Sequence, residues 1–545
     1  MSKHKIKENF RPGMVLMIFP LIIGIMALPF LFSDRFGQSL GSAGAARLVT
    51  RNWQIADNAL KASQPEYERK FAYYKLKEGE NLTKVSQHFS VPETKLTELN
   101  PGILVAGTTI RVPPLQFPLT ASSSTNNKLS QIQIREDNGI VRLKNGYKYE
   151  KVVTSIPELT AFLAKMNVFS QTGPKSYRLN RPLLLDENIR LNITSETVNR
   201  LELRSSPNRD TTCLCITNGE LLIKDTTITS YDPTTQGPDH NPADDRSFIR
   251  VLKSSRMDII NSQISYLGTG LRQPNKQLPL AKDGGTYGIS WRIPDDMLGV
   301  DITTGWVEGS TFYKNHFGSY TFGASGMVWR NNHFLDNDVY GLDPHDDSNN
   351  ALIEGNIFER NGKHGFIISK RCNYNIIRNN VSFGNGLHGF MLHQDSTYNA
   401  IENNLAYDNA DNYVIFASSF NIIRNNKSYN ARRSHIRINE SSSNNFIINN
   451  TLYGGSKGIF IYGMSNNIYV KGNIIEQVGV ILETNNAQKI LLVDNLVQGL
   501  DYRFASNDRV IFGPNKVSKL VINVPNDINT IRATNGSINN NTKND

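Results

Sequence analysis

The sequence predicts an all-β chain wound into a right-handed parallel β-helix of about 22–24 residues per coil. Three observations lead there. A phrase Asn-x-Ile-x-Asn-Asn recurs at 375–380, 399–404, 421–426 and 445–450. Its closing asparagine continues through Asn332, Asn356, Asn380, Asn404, Asn426, Asn450, Asn473 and Asn495, at spacings of 24, 24, 24, 22, 24, 23 and 22. Repeats of this length cannot bury their own apolar faces and must stack on their neighbours. The apolar runs within each period, such as Gly365–Ile368 and Gly389–Leu392, are strand-sized, and no amphipathic helix separates them.

Residues one period apart then stand in rows, because adjacent coils pair as parallel strands about 4.8 Å apart. The recurring asparagine is expected to bond its row neighbours and the backbone at a tight turn, where asparagine tolerates left-handed geometry. Two rows face inward: Leu342, Phe366, Phe390 and Val414, then Pro344, Ile368, Leu392 and Phe416. The alternate positions face outward. They are Asp343, Ile367, Met391 and Ile415, then His345, Ser369, His393 and Ala417. Beside them run Tyr340, His364, His388 and Asn412, and Asp347, Arg371, Asp395 and Ser419. A solvated strand face ordinarily carries Thr, Ser and Lys. Histidines, carboxylates, an arginine and a tyrosine gathered on one wall mark a site.

From the N-terminus, residues 14–32 form a 19-residue apolar run behind Lys3, Lys5, Lys7 and Arg11. That is long enough to span a bilayer, with its basic flank in the cytoplasm. A cleaved signal peptide is the rival reading, with small residues at Ala43–Ala46 as the nearest cleavage site. Either way the rest of the chain is exported, and 1–32 is read as an inner-membrane anchor or a leader to the periplasm. Residues 33–72 read as a linker, and 73–114 as a compact unit of strand, two short helices and closing strand. Residues 115–145, rich in Pro, Ser, Thr and Asn, suit a second linker. The span 146–182, with a helical pattern at Pro157–Met166, suits an N-terminal cap. Coils are expected over 183–517, with loops thrown out at 232–246 and 268–285 and a tail at 518–545, disordered after Asn526. Cys213, Cys215 and Cys372 fit neither a disulfide framework nor a zinc spacing and read as small core or turn residues with no catalytic role.

The net charge of +10 points to an anionic partner. The basic residues are scattered and form no nucleic-acid motif, so a polyanionic glycan or membrane surface is favoured over nucleic acid. Chemically, His345 near its usual pKa suits a general base. Arg371 suits a fork on a carboxylate, or alternatively a structural ion pair between Asp347 and Asp395. Lys314 and Lys370 are further cations for that role. Asp343 or Asp346 could orient the imidazole or bind hydroxyls. Tyr340, His364 and His388 make either a stacked ladder or a contact surface. Asp346–Asp347 could instead hold calcium.

Two resemblances sharpen these readings. Tyr74, Leu76, Gly79, Glu80, Leu82, Phe89, Leu99, Asn100, Pro101 and Gly107–Pro113 resemble a LysM domain over about forty residues. That implies binding of N-acetylglucosamine-containing glycans such as peptidoglycan, unless the unit is a folded spacer. Tyr340-Gly341-Leu342-Asp343-Pro344-His345-Asp346 resembles the signature of the periplasmic mannuronan C5-epimerases of alginate-producing bacteria, a likeness covering about residues 146–520. It implies His345 as catalytic base, Arg371 as neutraliser of the substrate carboxylate, and Asp343 and Tyr340 beside them. It further implies a groove holding polymannuronate, with Asp346, Asp347, Lys370, His364, His388, His393 and Lys314 as candidate contacts, and alginate export proteins as neighbours. Reprotonation falls to water or to Tyr340. The secreted relatives carry Gly-Gly-x-Gly-x-Asp calcium repeats that this sequence lacks, so no metal or other cofactor is expected. The rival functions are a polysaccharide lyase on the same scaffold and a non-catalytic periplasmic scaffold for the polyanion.

Overall fold

In the computed structural model the described residues are Gln54, Asp57, Asn58 and 69–533, apart from short stretches of which 271–286 is the longest. The chain divides into two compact units, 1–63 and 64–545. The apolar run at 14–32 lies outside the described residues. Among the described residues no helix is long and apolar enough to cross a membrane.

Each coil of the second unit contributes one short strand to each of three sheets of 16, 15 and 15 strands. Leu342–His345 lies in the first sheet, Leu352–Glu354 in the second, Ile357–Glu359 in the third, and Phe366–Ser369 begins the next turn in the first. Apart from antiparallel pairs near the start, neighbouring strands are parallel. The interior is one continuous core in which like residues stack. Phe312, Phe334 and Phe358, for example, have ring centroids 4.8 and 5.1 Å apart.

The corners are held by asparagine. Each closing asparagine donates its amide to the next coil's asparagine and to a strand carbonyl. Asn380 Nδ2 reaches Asn404 Oδ1 at 3.0 Å and Ile353 O at 2.9 Å. The first asparagine of the phrase makes a second such ladder, Asn375–Asn399–Asn421–Asn445. A third, Asn315–Asn337–Asn361–Asn385–Asn409, has no phrase of its own in the sequence. The left-handed backbone falls on the residue before the closing asparagine, such as Asn379, Asn403 and Asn425, each at φ 56°. The two expected roles are therefore divided between adjacent residues.

The 22-residue step from Asn404 to Asn426 alters the predicted rows. Asn385 bonds Asn409 at a step of 24, His388 pairs with Asp411, His393 with Phe416, and Ser396 bonds Ser418. One residue is thus lost before Asp411 and another before Ser418. Ile415, expected outside, points inward beside Leu392, and Tyr413 beside Phe390. Val414 and Phe416, expected inside, join the outward rows of Met391 and His393. Asp411 takes the place expected for Asn412, whose amide is buried against Ala406 O and Ser428 Oγ. Asp395 is followed by Ser418 where Ser419 was expected, and Ala417 leaves the His393 row.

The domain limits shift too. Residues 115–145 are not a free linker. Ile132–Asp137 and Ile140–Asn145 form a hairpin that heads the first sheet. Leu119 N donates to Asp258 Oδ2 at 2.7 Å. Coil strands start before 183, at Val152–Ser155, and the cap helix runs Ile156–Phe162 behind a Ser155/Glu158 capping box. Ile522–Asn523 and Ile531–Ala533 extend the sheets into the expected tail. The cysteines are buried.

Residues 72–112 form a strand–helix–helix–strand unit: Ala72–Lys75, Leu82–Phe89, Glu93–Leu99 and Thr109–Val112, the two strands antiparallel. Its core of Tyr74, Leu76, Val85, Phe89, Leu96 and Ile110 continues into Ile302, Trp306 and Val328 on the second sheet. This unit is docked by shared apolar burial, not strung on a tether.

Candidate active site

The signature strand Leu342–His345 lies in the first sheet between Ser319–Phe322 and Phe366–Ser369. Gly341 is required by packing, since a Cβ there would fall 2.4 Å from the Gly365 carbonyl oxygen. Alternation sends Leu342 into the core and Asp343 and His345 outward. One outward row reads Arg292, Phe322, His345, Ser369, His393 and Phe416. At the corner after the strand, Asp346 and Asp347 adopt left-handed φ of 31° and 57°, and their carboxylates meet His345 and Arg371.

These side chains form one network. His345 Nδ1 bonds one oxygen of Asp346. Arg371, from the next coil, places Nη2 2.9 Å from the other, Asp346 Oδ1. Arg371 also grips Asp347, through Nε at 3.1 Å and Nη2 at 2.8 Å. The His345–Asp346 bond engages Nδ1 and not Nε2. Burial lowers the His345 pKa below 6.5, with Asp346 pulling the other way and the Lys370 and Arg292 charges reinforcing the drop. The imidazole is therefore neutral at neutral pH, the form a base requires.

Asp343 faces outward as expected but is covered, with 2% of its surface exposed. Burial, then the Asp346 charge, raises its carboxyl pKa well above the ordinary value. Burial and the neighbouring carboxylate both disfavour the charged form of this group. Tyr320, next to Asp343 in register, lies 5.6 Å from the His345 ring and stacks on Tyr287 at 3.5 Å. Tyr340 is pushed up to about 12 by burial and then by Asp343, so its hydroxyl keeps its proton.

Tyr340, His364 and His388 form a stacked ladder, with centroids 4.8 and 4.7 Å apart. It ends on Asp411, whose Oδ2 lies 3.2 Å from His388 Nδ1 and also takes Arg433 at 2.8 Å and Arg437 at 3.3 Å. His364 and His388 are buried, which favours the ladder reading over direct contact. His393 shares the His345 row, and Lys370 is exposed at the same corner. Lys314 is not gathered here. Its Nζ sits over the Tyr313 ring, at the corner leading into the first sheet rather than the one leaving it. The Asp346 and Asp347 carboxylates are occupied by His345 and Arg371 rather than arranged as a calcium cage. Among the described residues no three His, Cys, Asp or Glu side chains are grouped to hold a metal ion.

The family model for a right-handed β-helix region matches residues 187–406 and 346–475, together just over half of the 545 residues. The chain belongs to the right-handed β-helix family. Within it, the chain is similar to the mannuronan C5-epimerase of Pseudomonas fluorescens, 28% identical over 37% of each chain. It is equally similar to mannuronan C5-epimerase AlgG of Azotobacter vinelandii, 28% identical over 38% of this chain. The matched part spans under two-fifths of those relatives' length. Among solved structures it resembles the periplasmic alginate epimerase AlgG (TM-score 0.53, 20% identity, covering 70% of this chain and 85% of that one). A double mutant of AlgG superposes with TM-score 0.56 at 21% identity, covering 66% and 85%. At these identities the structural likeness establishes the fold.

Proposed function

We propose that this chain is a periplasmic mannuronan C5-epimerase, converting β-D-mannuronate to α-L-guluronate within alginate. The observation that carries the reading is the His345–Asp346–Arg371 network, which engages His345 through Nδ1 on the wall it shares with the Asp343 carboxyl. The epimerase names of the sequence relatives support the same reaction.

In this reading His345 Nε2 takes the C5 proton, and the electron pair moves into the adjacent carboxylate. Asp346 stabilises the imidazolium that forms, as a carboxylate does for any histidine held through Nδ1. The extra charge on the substrate carboxylate must be offset, and Arg371, Lys370 and the Asp343 carboxyl proton are the groups at hand. A proton then arrives on the opposite face of C5, from water or Tyr340, and the 4-O-glycosidic bond stays intact. A lyase would share the first step and expel the 4-oxygen. The strand–helix–helix–strand unit is proposed to bind peptidoglycan glycans, and residues 14–32 to anchor the chain at the inner membrane beside alginate export proteins.

The test is incubation with polymannuronate in deuterated water. Deuterium at C5 with unchanged chain length is expected, and absent from His345→Ala. Chain shortening with unsaturated ends would make the protein a lyase. Neither product, with polymer still bound, would leave only the scaffold.

A further inference from the structure

We propose that Arg292 is a carboxylate-binding residue for the uronate two units away from the one at His345. This rests on the polyuronate reading above. Arg292 stands in the same outward row as His345, two coils earlier, with Phe322 between them. Two coil rises separate the positions by about 10 Å along the helix axis. In a β-1,4-linked uronate chain successive sugars are turned over, so alternate carboxylates face the same side. Two sugars also advance the chain by nearly two coil rises. A polymer lying along the row with one C5 at His345 therefore brings an alternate carboxylate to Arg292.

The arginine is built for that contact. Its guanidinium carbon lies 4.1 Å from the centre of the Phe322 ring, which fixes the plane of the fork without using its donors. The side chain is only 12% exposed, so less conformational freedom remains to be lost on binding. Its carboxylate partner is Asp295, 3.3 Å away and 77% exposed. With the Asp295 carboxylate standing in water, the pair contributes little and its carboxylate is readily exchanged for a ligand's. The other groove arginines are committed more firmly. Arg433 and Arg437 hold the buried Asp411, and Arg250 is buried against Ser290 Oγ.

The experiment measures kcat and KM for C5 deuterium incorporation on mannuronate oligomers of increasing length, with wild type, R292Q and R292K. Wild type should gain kcat/KM by about tenfold to a hundredfold once an oligomer reaches Arg292, the range for one charge-assisted contact. R292Q should lose that gain through KM, with kcat on polymer held within about twofold, because the contact lies away from the reacting carbon. R292K should recover part of it. Identical length profiles for wild type and R292Q overturn the proposal. If wild type incorporates no deuterium, the epimerase reading fails by itself. Calorimetric binding of polymannuronate against neutral mannan then decides Arg292, with unchanged R292Q affinity counting against it. Should R292Q not fold, D295N is used instead. Freeing Arg292 should tighten polymannuronate binding up to about fivefold, and no tightening rejects the assignment.

Discussion

Arg371 reaches back one coil to set its Nη2 2.9 Å from Oδ1 of Asp346, whose second oxygen holds Nδ1 of His345. Two groups from successive coils are thereby joined through one carboxylate. The coil period places them on the same wall, and the left-handed turn at Asp346 aims the carboxylate between them.

Asp346→Asn should lower kcat by about 10²–10⁴, because an amide no longer enforces the tautomer with Nε2 free. Polymer binding should change little. Asp346 raises the His345 pKa, so its loss should move the acid limb of the pH–rate profile to lower pH. Lys370→Met should move it the opposite way, since the lysine charge lowers that pKa. Profiles of deuterium incorporation against pH for both variants check the signs.

Arg371→Lys keeps the charge and loses the fork that spans Asp346 and Asp347. Because Arg371 is 49% exposed, stability should change by no more than about 1 kcal/mol. Activity should fall at least about tenfold, the cost of one charge-assisted hydrogen bond in the transition state. Equal thermal midpoints with equal activity would mark Arg371 as a surface ion pair and nothing more.

The Tyr340–His364–His388 ladder carries a pH signature in stability. Burial, then the His388 charge, lowers the His364 pKa from 6.5 to about 2. Between those values the unfolded chain binds a proton that the folded chain does not, so stability falls as pH drops through that window and is level above it. His364→Phe keeps a ring in the stack and should flatten the decline of thermal midpoint between about pH 7 and about pH 4. His388, His393 and His345 are lowered too, so a residual slope should remain.

Asn380→Ala should destabilise the chain by about 3 kcal/mol. It removes the Asn380 Oδ1 acceptor of the buried Asn356 backbone N–H and side-chain amide, and the Nδ2 donor to Ile353 O and Asn404 Oδ1. Urea unfolding midpoints for this variant and for a change at exposed Lys363 give the comparison.

Much of this architecture is legible in the sequence. The asparagine spacing predicts the solenoid, and alternation within Leu342–His345 puts Asp343 and His345 on the outer wall. It does not say where within a shortened coil the missing residues fall. Hence simple alternation puts Val414, Phe416 and Ile415 on the wrong faces, and favours Asn412 over Asp411, the carboxylate that anchors the histidine ladder. Arg292, Tyr287 and Tyr320 carry no signal, because the early coils are interrupted by long loops and lack the asparagine phrase. Once the Ser290–Arg292 strand is paired with Tyr320–Phe322, Tyr320 falls beside His345, Tyr287 stacks behind it, and Arg292 joins the His345 row two coils earlier.

By itself the order of residues determined a stack of coils near 24 residues and the wall on which an imidazole and a guanidinium from successive turns emerge. Periodicity is a local property, written into every repeat. Only the tertiary structure decided that Asp343 is sealed from solvent, that Asp346 links histidine to arginine, and that the small N-terminal unit is welded to the second sheet. Burial and hydrogen-bond partnership depend on which surfaces cover one another, and no single repeat contains that information.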